Sequence, residues 1–212
     1  MKIEIWSDII CPWCGIGQHR LDTALAAFEH RAEVQVVHRS FQLDPSFPMG
    51  RTQPVSELLR SKYGMTEAQL AASTHRITAL AAAEGMVPYK VGENSVGNTR
   101  MAHELLAFAA EQGLEDAAWK RLYRAYFGEG RSVFDLDALV ALAAEIGLDP
   151  GATREALTSG RYIAKVEADG RGARALGATG VPFVVVDGRY GIAGAQPVAV
   201  FKDALQQAWR DR

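Results

Sequence analysis

Cysteine is scarce in this chain of 212 residues, which has only Cys11 and Cys14. Two thiols cannot form the framework of a disulfide-stapled scaffold. Long apolar runs are missing too. A stretch such as Val181-Pro182-Phe183-Val184-Val185-Val186 stops at Asp187, far short of the roughly 20 residues that cross a bilayer. Nor does one sign of charge dominate. Lys and Arg number 23 against 25 Asp and Glu, for a net charge of −2. No basic field attracts nucleic acid or anionic lipid, so neither nucleic acid nor membrane is an expected partner. There is no internal repeat and no low-complexity segment.

What is present suits a soluble globular protein: 48% hydrophobic and 23% charged residues, both ordinary values. The length fits one good-sized domain, or one domain carrying a large insertion. At the N-terminus, Met1-Lys2-Ile3-Glu4-Ile5-Trp6-Ser7-Asp8 places an acid where a signal peptide needs apolar residues, which predicts no export and a cytoplasmic location. Thiols are kept reduced there, so two cysteines three apart serve chemistry or a metal rather than a permanent staple.

Alternation over Ile3 to Ser7 and the valine-rich stretch Glu33 to Phe41 predict two strands. Between them Leu21, Ala24, Leu25 and Phe28 line one face of a helix running from about Pro12 to Glu29. Strand, helix and strand predict a parallel pair with a right-handed crossover. After the turn-rich segment Asp44-Pro45 to Gln53-Pro54, helical patterning continues with no convincing strand until Val181. Met101, Leu105, Phe108, Ala109 and Gln112 mark one helix, Trp119, Leu122, Tyr123 and Tyr126 a second, and Leu136, Leu139, Val140 and Ala143 a third. Asp149-Pro150 opens another as N-cap and first helical residue. The pattern then returns to strands at Phe183 to Asp187 and Tyr190 to Ala193, with a closing helix from about Pro197 to Arg210. The expected fold is α/β, split at the two ends of the chain: residues 1–53 and 178–212 form one domain, and residues 54–177 an all-helical insertion.

Cys11-Pro12-Trp13-Cys14 falls where the first strand meets the first helix. Pro12 suits the first helical position, which makes Cys11 the N-cap, facing the free N–H groups and positive end of the helix. Such a site lowers a thiol pKa from about 8.5 into a range of roughly 3.5 to 7.5. Cys11 is therefore the expected nucleophile, and Cys14, one turn inward, the thiol that resolves the mixed disulfide. A CxxC is also half of a zinc knuckle. Here there is no third cysteine, and the five histidines include no closely spaced H-x₃₋₅-H pair, so no metal is expected. Asp8, the nearest acid, either relays a proton from Cys14 or is an exposed or capping loop residue.

Thr179-Gly180-Val181-Pro182-Phe183 places a proline at a strand start. That is a common edge use of the residue. It also suits a cis-proline loop beside the CxxC whose Val181 backbone pairs with an incoming peptide. Gly194-Ala195-Gln196 precedes the last helix, as a plain cap or as an anion-accepting turn for a peptide or glutathione carboxylate, with Gln196 its polar side chain. His103 reads as a satisfied helix histidine or as a residue lining a cleft. Trp119, Tyr123 and Tyr126 read as core.

Ser7 through Gly17, Asn98-Thr99 through Ala102-His103, Gly180-Val181-Pro182-Phe183 and Gly194-Ala195-Gln196-Pro197 together resemble the DsbA-like thioredoxin family, and more narrowly its FrnE-like branch of dithiol–disulfide oxidoreductases. The resemblance spans the chain. It implies a thioredoxin-like fold interrupted by a helical insertion, a cis bond before Pro182, and partners that are protein or small-molecule thiols and disulfides, with no cofactor beyond glutathione as a co-substrate. Two positions depart from the pattern. Where many relatives bury an acid six residues before the first cysteine, this chain has Ile5, and where DsbA has histidine inside the CxxC it has the uncharged Trp13. The same fold also serves kappa-class glutathione transferases and 2-hydroxychromene-2-carboxylate isomerases, which typically carry serine at the position of Cys11. A third reading is a chaperone-like module whose refolding activity survives Cys11→Ser.

Overall fold

The structure, a computed structural model, describes all of residues 1–212. In chain order the elements are β1 (Lys2–Ser7), α1 (Pro12–Ala26), β2 (Gln35–Ser40), β3 (Thr52–Pro54), α2 (Val55–Tyr63), α3 (Glu67–Ala83), β4 (Ser95–Gly97) and α4 (Arg100–Glu111). There follow α5 (Glu115–Tyr123), a π-helical turn (Arg124–Glu129), α6 (Leu136–Ala144), α7 (Pro150–Thr158), α8 (Ile163–Ala175), β5 (Phe183–Val186), β6 (Tyr190–Ala193) and α9 (Val198–Arg210). They form two compact units, one of residues 1–43 and 164–212, the other of residues 44–163. No helix is long and apolar enough to cross a membrane.

The first unit is built on a four-stranded sheet in the order β2-β1-β5-β6. β1 and β2 are parallel, with Ile3 opposite Val36 and Ile5 opposite His38. β5 runs antiparallel to β1, with Ile5 opposite Val184 and Trp6 opposite Phe183, and β6 is antiparallel to β5. Because side chains alternate along a strand, each face has its own core. Ile3, Ile5, Val184, Val186 and Ile192 pack on one side with Leu21, Ala24 and Leu25 of α1 and Phe201, Leu205 and Ala208 of α9. Trp6, Phe183, Val185 and Phe41 pack on the other with Ala173 and Ala178. Ile3, Ile5 and Leu21 are wholly buried, each contributing roughly 1.5–3 kcal/mol of transfer free energy. This is the thioredoxin arrangement of helices on both faces of a mixed sheet.

The domain boundaries lie elsewhere than at the expected 53/54 and 177/178. The first unit gives up residues 44–53 and takes in α8. The reason is packing: Ala173 lies in the core of the second sheet face, and Trp6 Nε1–H donates to the Asp169 carbonyl at 2.9 Å. Asp169 Oδ2 also accepts the Ser40 N–H at 3.3 Å, tying α8 to β2. A helix with few large apolar residues gives no sign in its sequence of which core it serves.

The second unit is not all-helical. Its segments β3 and β4 pair antiparallel, Thr52 opposite Gly97 and Pro54 opposite Ser95, in strands of three residues that are too short to show a periodicity. The helices α4, α5, α6 and α7 pack on one another around Leu105, Trp119, Leu122, Leu139 and Leu142. Asp149 caps α7 as expected, its side chain accepting the Ala152 N–H at 2.7 Å. The expected helix through Tyr126 changes at Arg124 into the π-helical turn, and α1 stops at Ala26 rather than Glu29.

Candidate active site

Cys11 is the N-cap of α1, in extended conformation (φ −83°, ψ 113°), with Pro12 at the first helical position. Its carbonyl accepts the Cys14 N–H at 3.0 Å, closing the first turn and setting Cys14 one turn inward. The two thiols differ in access. Cys11 keeps 5% of its surface exposed and Cys14 none. Burial, followed by the neighbouring Cys11 sulfur, pushes the Cys14 thiol well above the ordinary thiol range. A hydrogen bond from the Asp8 backbone acts against that rise, and the Asp8 carboxylate adds to it. Trp13, half-buried between the cysteines, contributes no charge.

The far end of the chain completes the site. The Cys11 thiol donates to the Val181 carbonyl at 3.6 Å, across 170 residues of sequence. The Val181–Pro182 peptide bond is cis, and Pro182 immediately precedes β5, where the β1–β5 pairing ends at Trp6 and Phe183. Lacking an N–H, Pro182 uses only its carbonyl, which accepts the Gly194 N–H at 2.8 Å and continues the β5–β6 hairpin by one bond. The Pro182 ring rests on Gly17 of α1: a β-carbon there would come within 2.8 Å of Pro182 Cγ and 3.6 Å of Ala195 Cα.

Asp8 is no exposed loop residue. It is fully buried, and its Oδ2 accepts the Leu43 N–H at 2.8 Å, while its carbonyl accepts the Cys11 N–H at 3.2 Å. Ile5, at the position where many relatives bury an acid, is packed in the core with residues of α1 and α9. Thus the site does have a buried carboxylate, three residues before Cys11.

Residues 2–206 match the DSBA-like thioredoxin domain. The chain belongs to this family. It is 48% identical to a protein described as a probable DsbA oxidoreductase from Streptomyces coelicolor, whose structure it matches with a TM-score of 0.96 over 100% of this chain and 91% of that one. At 16% identity and a TM-score of 0.76 it shares its fold with 2-hydroxychromene-2-carboxylate isomerase, covering 100% of this chain and 97% of that one. At 21% identity and a TM-score of 0.67 it shares it with the cytosolic disulfide reductase DsbM of Pseudomonas aeruginosa, over the full length of both.

In this DSBA-like chain Cys11, Cys14, Asp8, Pro12, Trp13, Val181 and Pro182 all belong to the first unit. Gln196 is exposed, and its side-chain amide donates to the Ala193 carbonyl at 2.9 Å. It thus braces the turn, while Pro197 is the N-cap of α9. His103 lies in the second unit, wholly buried, edge-on to Trp119 with ring centroids 5.8 Å apart. That is a core position. Trp119, Tyr123 and Tyr126 are core as expected. Asn98 in the same motif donates to the Phe47 carbonyl at 2.7 Å and the Pro45 carbonyl at 3.3 Å, fixing the loop after Asp44. No group of three or more His, Cys, Asp or Glu side chains is placed to hold a metal ion.

Two residues of this neighbourhood escaped the sequence reading as site residues, Gly17 and Arg20. Their i, i+3 spacing puts them on one face of α1, but nothing in the sequence says that the face meets Pro182 and Ala195.

Proposed function

We propose that this protein is a dithiol–disulfide oxidoreductase in which Cys11 exchanges with substrate and Cys14 resolves the mixed disulfide. One observation carries the reading: the thiol of Cys11, the N-cap residue of α1, lies at the Val181 carbonyl beside Pro182, with the wholly buried Cys14 next to it in the first turn. Both thiols are buried, but Cys11 alone keeps some exposed surface, which makes it the one a substrate reaches. The Val181 backbone is the group that pairs with a bound extended chain in this reading.

In the reducing direction the Cys11 thiolate attacks one sulfur of a substrate disulfide and expels the other as a thiolate. Cys14 then gives its proton to the Asp8 carboxylate and attacks Cys11 Sγ. The Cys11–Cys14 disulfide forms, the second substrate thiolate leaves, and the released thiolates take up protons. Two electrons pass from the dithiol to the substrate. Oxidation of a substrate dithiol is the same sequence reversed. Cys14 needs help from a base because its surroundings disfavour its thiolate, and a buried acceptor within the site supplies it.

The description of the Streptomyces coelicolor relative as a probable DsbA oxidoreductase supports this reading. So does DsbM, a cytosolic disulfide reductase whose structure is also known with GSH, which favours the cytoplasm as location and glutathione as a co-substrate here. The FrnE-like assignment rests on the motifs around Cys11, His103 and Pro182. A glutathione-dependent isomerase would have no use for the thiol of Cys14. The test is turnover of a fluorogenic disulfide peptide, with glutathione as the reductant. Wild type should turn over, and Cys11→Ser should lose all activity. Equal turnover by wild type and Cys11→Ser would overturn the reading.

A further inference from the structure

Arg20 is a buried cation that the chemistry above does not use. It sits on α1 one turn beyond Gly17, retains 9% of its surface, and its Nη1 donates to the Ala195 carbonyl at 2.6 Å. Charge-assisted bonds of this length are among the stronger ones in proteins. A guanidinium taken out of water incurs a desolvation cost that only well-placed acceptors offset.

The acceptor is informative. Ala195 belongs to the turn Gly194-Ala195-Gln196, whose first residue donates its N–H to the Pro182 carbonyl at 2.8 Å. The turn is tightened by the Gln196 N–H on the Gly194 carbonyl at 2.9 Å and by the Gln196 side chain on Ala193. Gly17 lacks a side chain where a β-carbon would stand 2.8 Å from Pro182 Cγ and 3.6 Å from Ala195 Cα. Two successive turns of α1 therefore grip one loop pair. Gly17 lets Pro182 approach, and Arg20 holds the turn that is bonded to Pro182. The same helix carries Cys11 at its head, so the distance between the attacking sulfur and the Val181–Pro182 peptide group is set by how firmly this turn is held.

We infer that Arg20 is a positioning residue for the substrate-binding edge: through Ala195 and Gly194 it fixes Val181 and Pro182 relative to Cys11. The role rests on the oxidoreductase reading for its consequence in catalysis, but not for its structural effect. Without the guanidinium the Gly194–Pro182 bond opens more often and the edge that receives the substrate backbone is poorly ordered, so binding suffers more than chemistry.

The test compares Arg20→Met and Arg20→Lys with wild type by two readouts. Hydrogen exchange of the Gly194 amide should be about tenfold faster in Arg20→Met and close to wild type in Arg20→Lys, which keeps a cationic donor. For a disulfide peptide, KM should rise several-fold in Arg20→Met with kcat within twofold, and Arg20→Lys should restore it. Unchanged Gly194 exchange in Arg20→Met, or a fall in kcat with KM unchanged, overturns the inference. If Arg20→Met does not fold, Arg20→Leu, which likewise has no donor, takes its place with the same outcomes. Wild-type protein that turns over no disulfide overturns the oxidoreductase reading instead, a result the exchange measurement cannot imitate.

Discussion

The Pro182 ring lies on the backbone of Gly17, so close that a β-carbon at position 17 would stand 2.8 Å from Pro182 Cγ. A proline ring cannot swing aside as a long side chain can. Gly17→Ala sets two effects against each other. Alanine gains about 1 kcal/mol of helix propensity over glycine, while forcing an extra methyl into a packed contact costs roughly 1–3 kcal/mol. The clash should win, by destabilising the fold in urea or by displacing the Pro182 loop and raising KM for a disulfide peptide. A Gly17→Ala protein that is both more stable and fully active would show the contact to be slack.

Asp8→Asn isolates the proton acceptor. Asparagine keeps an oxygen for the Leu43 N–H that Asp8 now accepts, so the loop should stay in place while the carboxylate is lost. Resolution of the mixed disulfide at pH 7 should slow by about a hundredfold, the lower end of general acid–base effects, and the first attack by Cys11 should be unaffected. Stopped-flow single turnovers separate the two phases. Equal resolution rates would assign Asp8 a purely structural role.

Cys14 predicts a pH dependence of stability for the reduced protein. Burial and the Cys11 sulfur raise its folded pKa above the unfolded value, so the folded state holds the proton more tightly. The resulting stability is fully present below the unfolded thiol value of about 8.5 and is lost as pH rises from there through the folded pKa. Urea midpoints of the reduced wild type should therefore fall between pH 8 and pH 10 by more than those of Cys14→Ala. Parallel curves for the two proteins would contradict the shift.

Trp13 fills the dipeptide between the cysteines with a neutral indole. An imidazolium there offers a charged donor to the Cys11 thiolate and so favours the reduced form. Trp13→His should become more oxidising by about 30 mV, equivalent to roughly 1.4 kcal/mol for a two-electron couple, measured by equilibration with glutathione buffers. A more reducing variant would overturn the argument.

What the sequence disclosed depended on how local the signal was. The strand–Cys11–helix junction is local: alternation in β1, Pro12 at the first turn and the stripe of Leu21, Ala24 and Leu25 all lie within one supersecondary unit. The β5–β6 hairpin and α9 were legible for the same reason. The allocation of α8 was not, since it turns on Trp6 reaching the Asp169 carbonyl across 163 residues. β3 and β4 escaped because three-residue strands carry no period and one of them holds Pro54. Asp8 stands out in the sequence by its nearness to Cys11, yet the donor that its carboxylate accepts, the Leu43 N–H, lies beyond the end of β2. Arg20 was invisible because its partner is a backbone carbonyl, which has no residue-specific signature.

The central claim, that Cys11 takes the substrate and Cys14 releases it, is tested most directly by mass spectrometry of single-cysteine variants incubated with a disulfide peptide at pH 7. The buried Cys14 should stay unmodified in Cys11→Ser. Cys14→Ser should accumulate one stable mixed disulfide on Cys11, and the wild type should accumulate none at steady state. A mixed disulfide trapped on Cys14 in Cys11→Ser, with none on Cys11 in Cys14→Ser, would reverse the assignment and contradict the account.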